Sequence, residues 1–147
     1  MNEPPRNRMA IAVLALVGLF VALYLLAHNL GLTGPIQCGV GDCATVQASE
    51  YAKVAGIPVS GIGVLGYIAL LVTALLGVQP GVMERPWVAR ALLGGSLFGV
   101  VFSAWLTYLE AFVIHAWCQW CVISAIIITL IFLSALPEAR RLTRRTP

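Results

Sequence analysis

Charged side chains are scarce in this sequence: Asp, Glu, Lys and Arg make up 10% of its 147 residues, whereas 60% are hydrophobic. A soluble domain averages about 25% charged residues, and a larger core cannot explain the deficit at this length. The composition therefore argues against a soluble domain and indicates apolar surface that faces lipid. The basic residues cluster at the chain ends and in one loop instead of covering a face, so we expect no nucleic-acid partner.

Motifs for common redox cofactors are also missing, because no haem, flavin or nucleotide-binding pattern occurs. The chain has four cysteines, and none lies in the middle of a long apolar run. Cys38 and Cys43 lie in a glycine-rich stretch, and Cys118 and Cys121 lie at the start of the last apolar run. The sequence thus places two redox-capable pairs outside the centres of these runs.

Four apolar runs predict membrane-spanning helices at about 9–30, 59–78, 88–109 and 118–136. About 20 residues, at 1.5 Å per residue, cross a bilayer core of roughly 30 Å. A signal peptide is the competing interpretation of the first run, but no small-residue cleavage signal directly follows Leu30. Pro137 is expected to end the last helix. We predict an all-α fold, a membrane-embedded four-helix bundle forming a single domain over 1–147, with 31–58 as its outer loop.

The outer loop has glycine and proline near both ends, which predicts turns there. Neither residue type occurs between Cys43 and Ala55. Asp42 is a suitable N-cap for a short helix in this stretch, and Gly56 is expected to stop that helix. Its partly apolar face would let it lie at the membrane surface.

The basic residues predict the orientation of the chain. With four spans, both termini and the 79–90 loop share one side, and the other side carries only Lys53. The first side carries Arg6, Arg8, Arg85, Arg90, Arg140, Arg141, Arg144 and Arg145. The positive-inside rule then places both termini in the cytoplasm. All four cysteines would face the oxidising outer compartment.

The CxxC motif at Cys118 and Cys121 favours thiol chemistry. Two thiols at i and i+3 lie on one helix face, close enough to bridge. Unpaired N–H groups at the helix start favour a thiolate at Cys118. A mobile loop pair and a fixed pair together allow a disulfide relay. The fixed pair lies at the lipid boundary, where a lipid-soluble quinone (ubiquinone, menaquinone or a related compound) is the best-fitting electron acceptor.

The order of these motifs resembles that of the vitamin K epoxide reductase family, in its bacterial branch, over about residues 9–136. The resemblance is carried by Cys38-Gly-Val-Gly-Asp-Cys43, then Ser49, then Tyr51-Ala-Lys-Val-Ala-Gly-Ile-Pro58, then Cys118-x-x-Cys121. It implies a quinone-linked thiol oxidoreductase of the bacterial inner membrane that supports disulfide bond formation. Many bacterial members carry a fused thioredoxin-like domain. This sequence stops at Pro147, so a separate periplasmic thioredoxin-like protein is the expected partner.

The resemblance also implies a role for each cysteine. Cys38 would meet the partner's active-site cysteine, and Cys43 would hand electrons to Cys118. Cys121 would lie next to the quinone ring. Ser49 matches the family's loop serine, which helps to hold the loop over the site.

Other residues are weaker candidates for the site. Trp120 is compatible with a wall for the quinone ring or with an interfacial aromatic belt. Ser124, one turn beyond Cys121, suits a hydrogen bond to a quinone carbonyl or to its own helix. Glu110 is expected at the outer interface. The spacing of Gly95, Gly99 and Ser103 predicts close helix packing.

Three alternatives remain open from the sequence. The four cysteines form a permissible ligand set for zinc in a membrane scaffold. Alternatively, two static disulfides would staple the bundle without catalysis. The four-helix disulfide-bond oxidase of the bacterial inner membrane has the same helix count, but its CxxC lies in the first outer loop instead of at the last span.

Overall fold

The computed structural model describes residues 5–144 and confirms an all-α chain built on four long apolar helices. They are α1 (Arg6–Asn29), α3 (Val59–Leu76), α4 (Pro86–Tyr108) and α5 (Gln119–Thr143), and α4 continues into a π-helical turn, Leu109–Ile114. Between α1 and α3 lie α2 (Cys43–Ala48), a 3-10 turn (Glu50–Ala52) and strands β1 (Lys53–Val54) and β2 (Ile57–Pro58). Each long helix has the length and hydropathy to cross a membrane.

The four long helices pack into one bundle. α1 packs against α3 and α5, and α4 packs against α5. Their shared core is apolar and includes Ile11, Ala15, Leu70, Leu92 and Ile131. The outside of the bundle is apolar too, with exposed Val13, Phe20, Leu65, Phe98 and Trp105. Exposed apolar surface on this scale is expected where lipid surrounds the protein.

Small residues allow the helices to approach one another. A Cβ atom at Gly99 would lie 2.6 Å from Ile128 Cγ1 on α5, and one at Gly95 would lie 3.3 Å from Leu70 Cδ2 on α3. Two of the three predicted small positions therefore lie at close helix contacts. Gly18 on α1 has the same role, because a Cβ atom there would overlap the Tyr67 ring.

The last helix does not end at Pro137 as expected; it continues to Thr143. Proline removes one backbone donor from a helix, but membrane helices tolerate this loss when neighbouring groups hold the segment. Glu138, the next residue, is completely buried and forms an ion pair with Arg8 Nη2 at 2.7 Å. This pair anchors the end of α5 to α1.

Arg8 is therefore a buried residue of the bundle, whereas the sequence analysis used it only as one of the basic residues that predict the orientation. Its guanidinium also donates to the carbonyl oxygens of Gly77 (2.7 Å) and Met83 (3.0 Å), on the connection between α3 and α4. Arg145, counted with it among the basic residues of that side, lies outside the described residues.

The loop at 31–58 contains several short elements instead of the predicted single helix. Asp42 is the N-cap of α2, as predicted, and its carboxylate accepts from the Thr45 N–H at 3.1 Å. However, α2 ends at Ala48, where Ser49 Oγ donates to the Val46 carbonyl at 2.7 Å. Gly56 turns a β-hairpin instead of stopping a helix, since Ala55 and Gly56 both have positive φ (53° and 83°). Such paired values are typical of the tight turn between two strands.

Candidate functional site

The four sulfur atoms lie together at one end of the bundle. Cys38 and Cys43 form a disulfide with a Cα–Cα distance of 6.0 Å, whereas Cys118 and Cys121 are free thiols. Cys43 and Cys118 are almost completely buried, 1% and 0% exposed, in one small apolar cluster with Val46. The fold therefore brings the loop pair onto the start of the last helix.

Backbone contacts dock the loop at this position. Gly41 and Cys118 form an isolated antiparallel β-bridge, in which the Asp42 N–H donates to the Trp117 carbonyl at 2.7 Å. Gly41 has φ +87°, and a Cβ atom there would overlap the Trp117 carbonyl oxygen. Only glycine adopts this left-handed conformation freely and leaves room for the close approach.

Two side chains of the CxxC segment hold the same loop. Gln119 Oε1 accepts from the N–H groups of Gly39 (2.8 Å) and Val40 (2.9 Å). Trp120 Nε1 donates to the Gln37 carbonyl at 2.6 Å, and its ring lies 5.2 Å from that of Tyr24. The Tyr24 hydroxyl in turn accepts from the Gln37 N–H at 2.9 Å. The two residues between the cysteines are thus the loop's anchors.

Polar contacts around Cys118 favour its thiolate. A hydrogen bond from the Cys121 thiol lowers the pKa of Cys118 most strongly. The Cys121 N–H, 3.3 Å from Cys118 Sγ, and the Gln47 amide lower it further, while burial and the nearby Glu110 carboxylate oppose them. The pKa lies below its ordinary value on balance, chiefly because of the Cys121 thiol, and the N–H group at the helix start makes a smaller contribution in the expected direction.

Cys118 and Cys121 are called the inner pair below. A cavity of about 310 Å³ lies between α3 and α4 and reaches this pair at Cys121. Cys121, Ser124 and Ser49 line it, but Cys118 and Trp120 do not. Ser124 Oγ is 2.8 Å from the Tyr67 hydroxyl, which also donates to the Ser124 carbonyl at 2.9 Å. Most of the lining is apolar, with a few hydroxyl groups, a composition that suits a quinone ring. Trp120 lies instead on the loop side of its helix.

Gln47 is a site residue that the sequence analysis missed. Its Nε2 donates to Cys121 Sγ at 3.4 Å and to Cys118 Sγ at 3.7 Å. Asn29 Nδ2 orients it by donating to Gln47 Oε1 at 3.1 Å and to Ser60 Oγ at 2.8 Å. One signal was present, since Gln47 follows Cys43 by four residues and so shares its face of α2.

Glu110 was expected at the outer interface but is buried, with 4% of its surface exposed. Its Oε2 accepts from the Cys118 N–H at 3.1 Å, and its side chain lines the cavity with Cys121. Glu110 lies in the π-helical turn, where its carbonyl accepts from the His115 N–H, the i→i+5 bond of a π-helix, and from the Ala116 N–H at 3.1 Å. His115 ends this turn with φ 58° and is exposed.

Within residues 5–144 no group of three or more His, Cys, Asp or Glu side chains is arranged to hold a metal ion. A four-cysteine zinc site would first require the Cys38–Cys43 disulfide to open.

Comparison with known proteins gives one match that covers most of the chain. A family model described as "Vitamin K epoxide reductase family" matches residues 9–136. The matched region contains both cysteine pairs and all the residues that line the cavity.

Proposed function

Because the chain belongs to the vitamin K epoxide reductase family, a family of membrane thiol–disulfide oxidoreductases, we propose that it passes electrons from a thioredoxin-like protein to a quinone. The donor would be a separate periplasmic protein that carries a dithiol. Electrons would pass through Cys38 and Cys43 to Cys118 and Cys121, and this activity would support disulfide bond formation outside the membrane. The acceptor would be ubiquinone, menaquinone or a related quinone.

One observation carries this proposal: Cys43 and Cys118 share a buried cluster, and of the inner pair Cys121 alone lines the cavity. Each cysteine therefore has a neighbour on the proposed path. Cys38 is more exposed than the fully buried Cys43, which supports Cys38 as the sulfur that meets the partner. Ser49 and Ser124 line the cavity and are proposed quinone contacts. We assign Trp120 to holding the loop, because its contacts are with Gln37 and Tyr24.

The transfer consists of two thiol–disulfide exchanges and one reduction. A partner thiolate attacks Cys38, and Cys43 leaves as a thiolate; the partner's second thiol then resolves the mixed disulfide. Cys43 attacks Cys118 of the inner disulfide and releases Cys121, after which Cys38 attacks Cys43 and frees Cys118. The loop is then oxidised and the inner pair reduced, which is the arrangement of the four sulfurs in this structure. Closing the inner disulfide supplies two electrons and two protons to the quinone.

Quinone reduction by detergent-purified protein with a dithiol donor tests the proposal. We expect the wild type to turn over and Cys121→Ala to lose essentially all activity, because its inner pair cannot close. Bound zinc, or a wild type that quinone cannot reoxidise, would favour the scaffold alternatives. For the loop, Cys43→Ser should accumulate a Cys38–partner mixed disulfide. If Cys38→Ser accumulates the adduct instead, the two loop roles are reversed.

The orientation is part of the same proposal: a multi-pass protein of the bacterial inner membrane with cytoplasmic termini. Single cysteines in a protein whose four native cysteines are alanine test it. A membrane-impermeant maleimide should label Thr33→Cys, in the loop after α1, on intact cells. Gln79→Cys, between α3 and α4, should react only after permeabilisation. The opposite labelling pattern would invert the topology.

A further inference from the structure

Glu110 is a buried acid that the thiol relay does not use. The residue is 4% exposed, and its carboxyl group has no ion-pair partner among residues 5–144. It contacts the Cys118–Cys121 pair directly, because Oε2 accepts from the Cys118 N–H at 3.1 Å. Its side chain also lines the cavity into which Cys121 faces. A carboxyl group therefore bridges the inner pair and the proposed quinone site.

The proposed reaction requires a group near Cys121 that can accept a proton and release it again. Two thiols that close to a disulfide release two electrons and two protons, and a quinone that becomes a quinol takes up the same number. The electrons pass through sulfur, but a thiol proton needs a group that accepts it and returns it nearby. Cys118 is fully buried and Cys121 is half-buried, so bulk water has limited access to the pair. General acid–base groups of this kind act when they lie within hydrogen-bond reach of the proton.

We propose that Glu110 carries a proton from the Cys121 thiol to the quinone oxygen in the cavity, an inference that rests on the proposed function. As the Cys118–Cys121 bond forms, the Glu110 carboxylate accepts the Cys121 proton. The resulting carboxylic acid then donates this proton into the cavity and returns to carboxylate. No net change occurs at Glu110. The proton of Cys118 is released to water when its thiolate forms, and the quinol takes its second proton from water, so two electrons and two protons are transferred overall.

Alkylation of Cys121 tests the first half of this proposal without quinone. The protein carries Cys118→Ser and an intact loop disulfide, so that Cys121 is the one free thiol, and the probe is N-ethylmaleimide. A base at Glu110 speeds loss of the thiol proton, so Glu110→Gln should slow alkylation roughly tenfold or more, with partial recovery in Glu110→Asp. A carboxylate acting only as a nearby negative charge would hold back thiolate formation, so Glu110→Gln would then react faster. An equal or faster rate overturns the proposal.

Steady-state quinone reduction with a dithiol donor tests the second half. Glu110→Gln retains an acceptor for the Cys118 N–H, so the loop should still dock and exchange disulfides at the wild-type rate. We expect kcat to fall by about 10²- to 10⁴-fold with KM little changed, and Glu110→Asp to recover part of it. Glu50→Gln, an exposed acid on the same side of the bundle, is the matched control. An unchanged kcat overturns this inference alone, whereas a wild type that cannot reduce quinone overturns the proposed function and this step with it.

Discussion

At the scale of single residues, the groups around the inner pair make its two sulfurs different. Cys118 is the N-cap of α5 and accepts hydrogen bonds from its surroundings, whereas Cys121 faces the cavity. Gln47 contacts both sulfurs although it belongs to the loop that carries the first pair. When the loop is docked, its Gln47 amide donates to the Cys118 sulfur. Docking of the loop is therefore coupled to the reactivity of Cys118.

Gln47→Leu should move the Cys118 titration to higher pH. The Cys121 thiol is the main cause of the lowered pKa, and Gln47 adds to it; losing this donor raises the pKa, so thiolate appears later as pH rises. Thiolate absorbance followed against pH, with the loop disulfide intact, measures the effect. Exchange between the pairs at neutral pH should slow several-fold. Gln37→Leu is the control, because Gln37 contacts Tyr24 and Trp120 through its backbone. If the Cys118 pKa is the same in Gln47→Leu as in the wild type, Gln47 does not stabilise the thiolate.

At the scale of elements, backbone contacts hold the loop segment from Gly39 to Gly41 against the start of α5, and this set of contacts is called the lock below. Gln119 accepts two backbone N–H groups of this segment, and Gly41 pairs with Cys118. All these contacts are to backbone, so they are independent of the loop's side chains. The lock places Cys43 against Cys118 but does not involve the disulfide itself. We therefore expect the loop to dock whether its cysteines are oxidised or reduced.

Gly41→Ala should break this lock. A left-handed conformation costs an L-residue about 1–2 kcal/mol, and the added Cβ atom would also meet the Trp117 carbonyl. We expect transfer from a reduced loop pair to the inner disulfide to slow by roughly tenfold or more, measured by acid quench and thiol trapping. Gly34→Ala is the matched control in the same loop, because a Cβ atom there meets nothing within 4 Å. Equal rates for the two variants would show that docking does not limit transfer.

At the scale of the whole molecule, the two ends of the bundle have different tasks. The end with the four cysteines is held by hydrogen bonds from a loop, and its cavity opens between α3 and α4. The opposite end is held by Arg8, which joins α1 to Glu138 of α5 and to the carbonyls of Gly77 and Met83. Asn7 Nδ2 adds a 2.8 Å hydrogen bond to the same glutamate. The buried pair therefore links three parts of the chain far from the redox site.

Glu138→Ala should destabilise the bundle by about 3–5 kcal/mol, because it leaves the Arg8 charge buried without its partner. Chemical unfolding in detergent, followed by circular dichroism, measures the loss. Arg6→Ala, at an exposed position of the same helix end, is the control and should change little. The double variant Arg8→Met with Glu138→Leu should recover much of the loss. A single variant as stable as the wild type would show that water reaches this pair.

Local features of the sequence determined the helices and the positions of the sulfurs. The length of an apolar run is enough to predict a span, and Cys118 and Cys121 at i and i+3 share a face in any α-helix. Asp42 capped its helix as predicted because capping depends on the next three residues. These properties need no knowledge of what packs against them.

The tertiary structure alone decided how the polar groups are used. Gln47 lies 71 residues before Cys118, and Arg8 lies 130 residues before Glu138. Which partner such side chains meet depends on how the helices rotate and pack, which no local pattern encodes. For the same reason Trp120 turned to the loop, Glu110 turned inward at a π-helical turn, and α5 passed through Pro137. In a low-dielectric interior a polar group must find a partner, and only the assembled bundle determines which one is within reach.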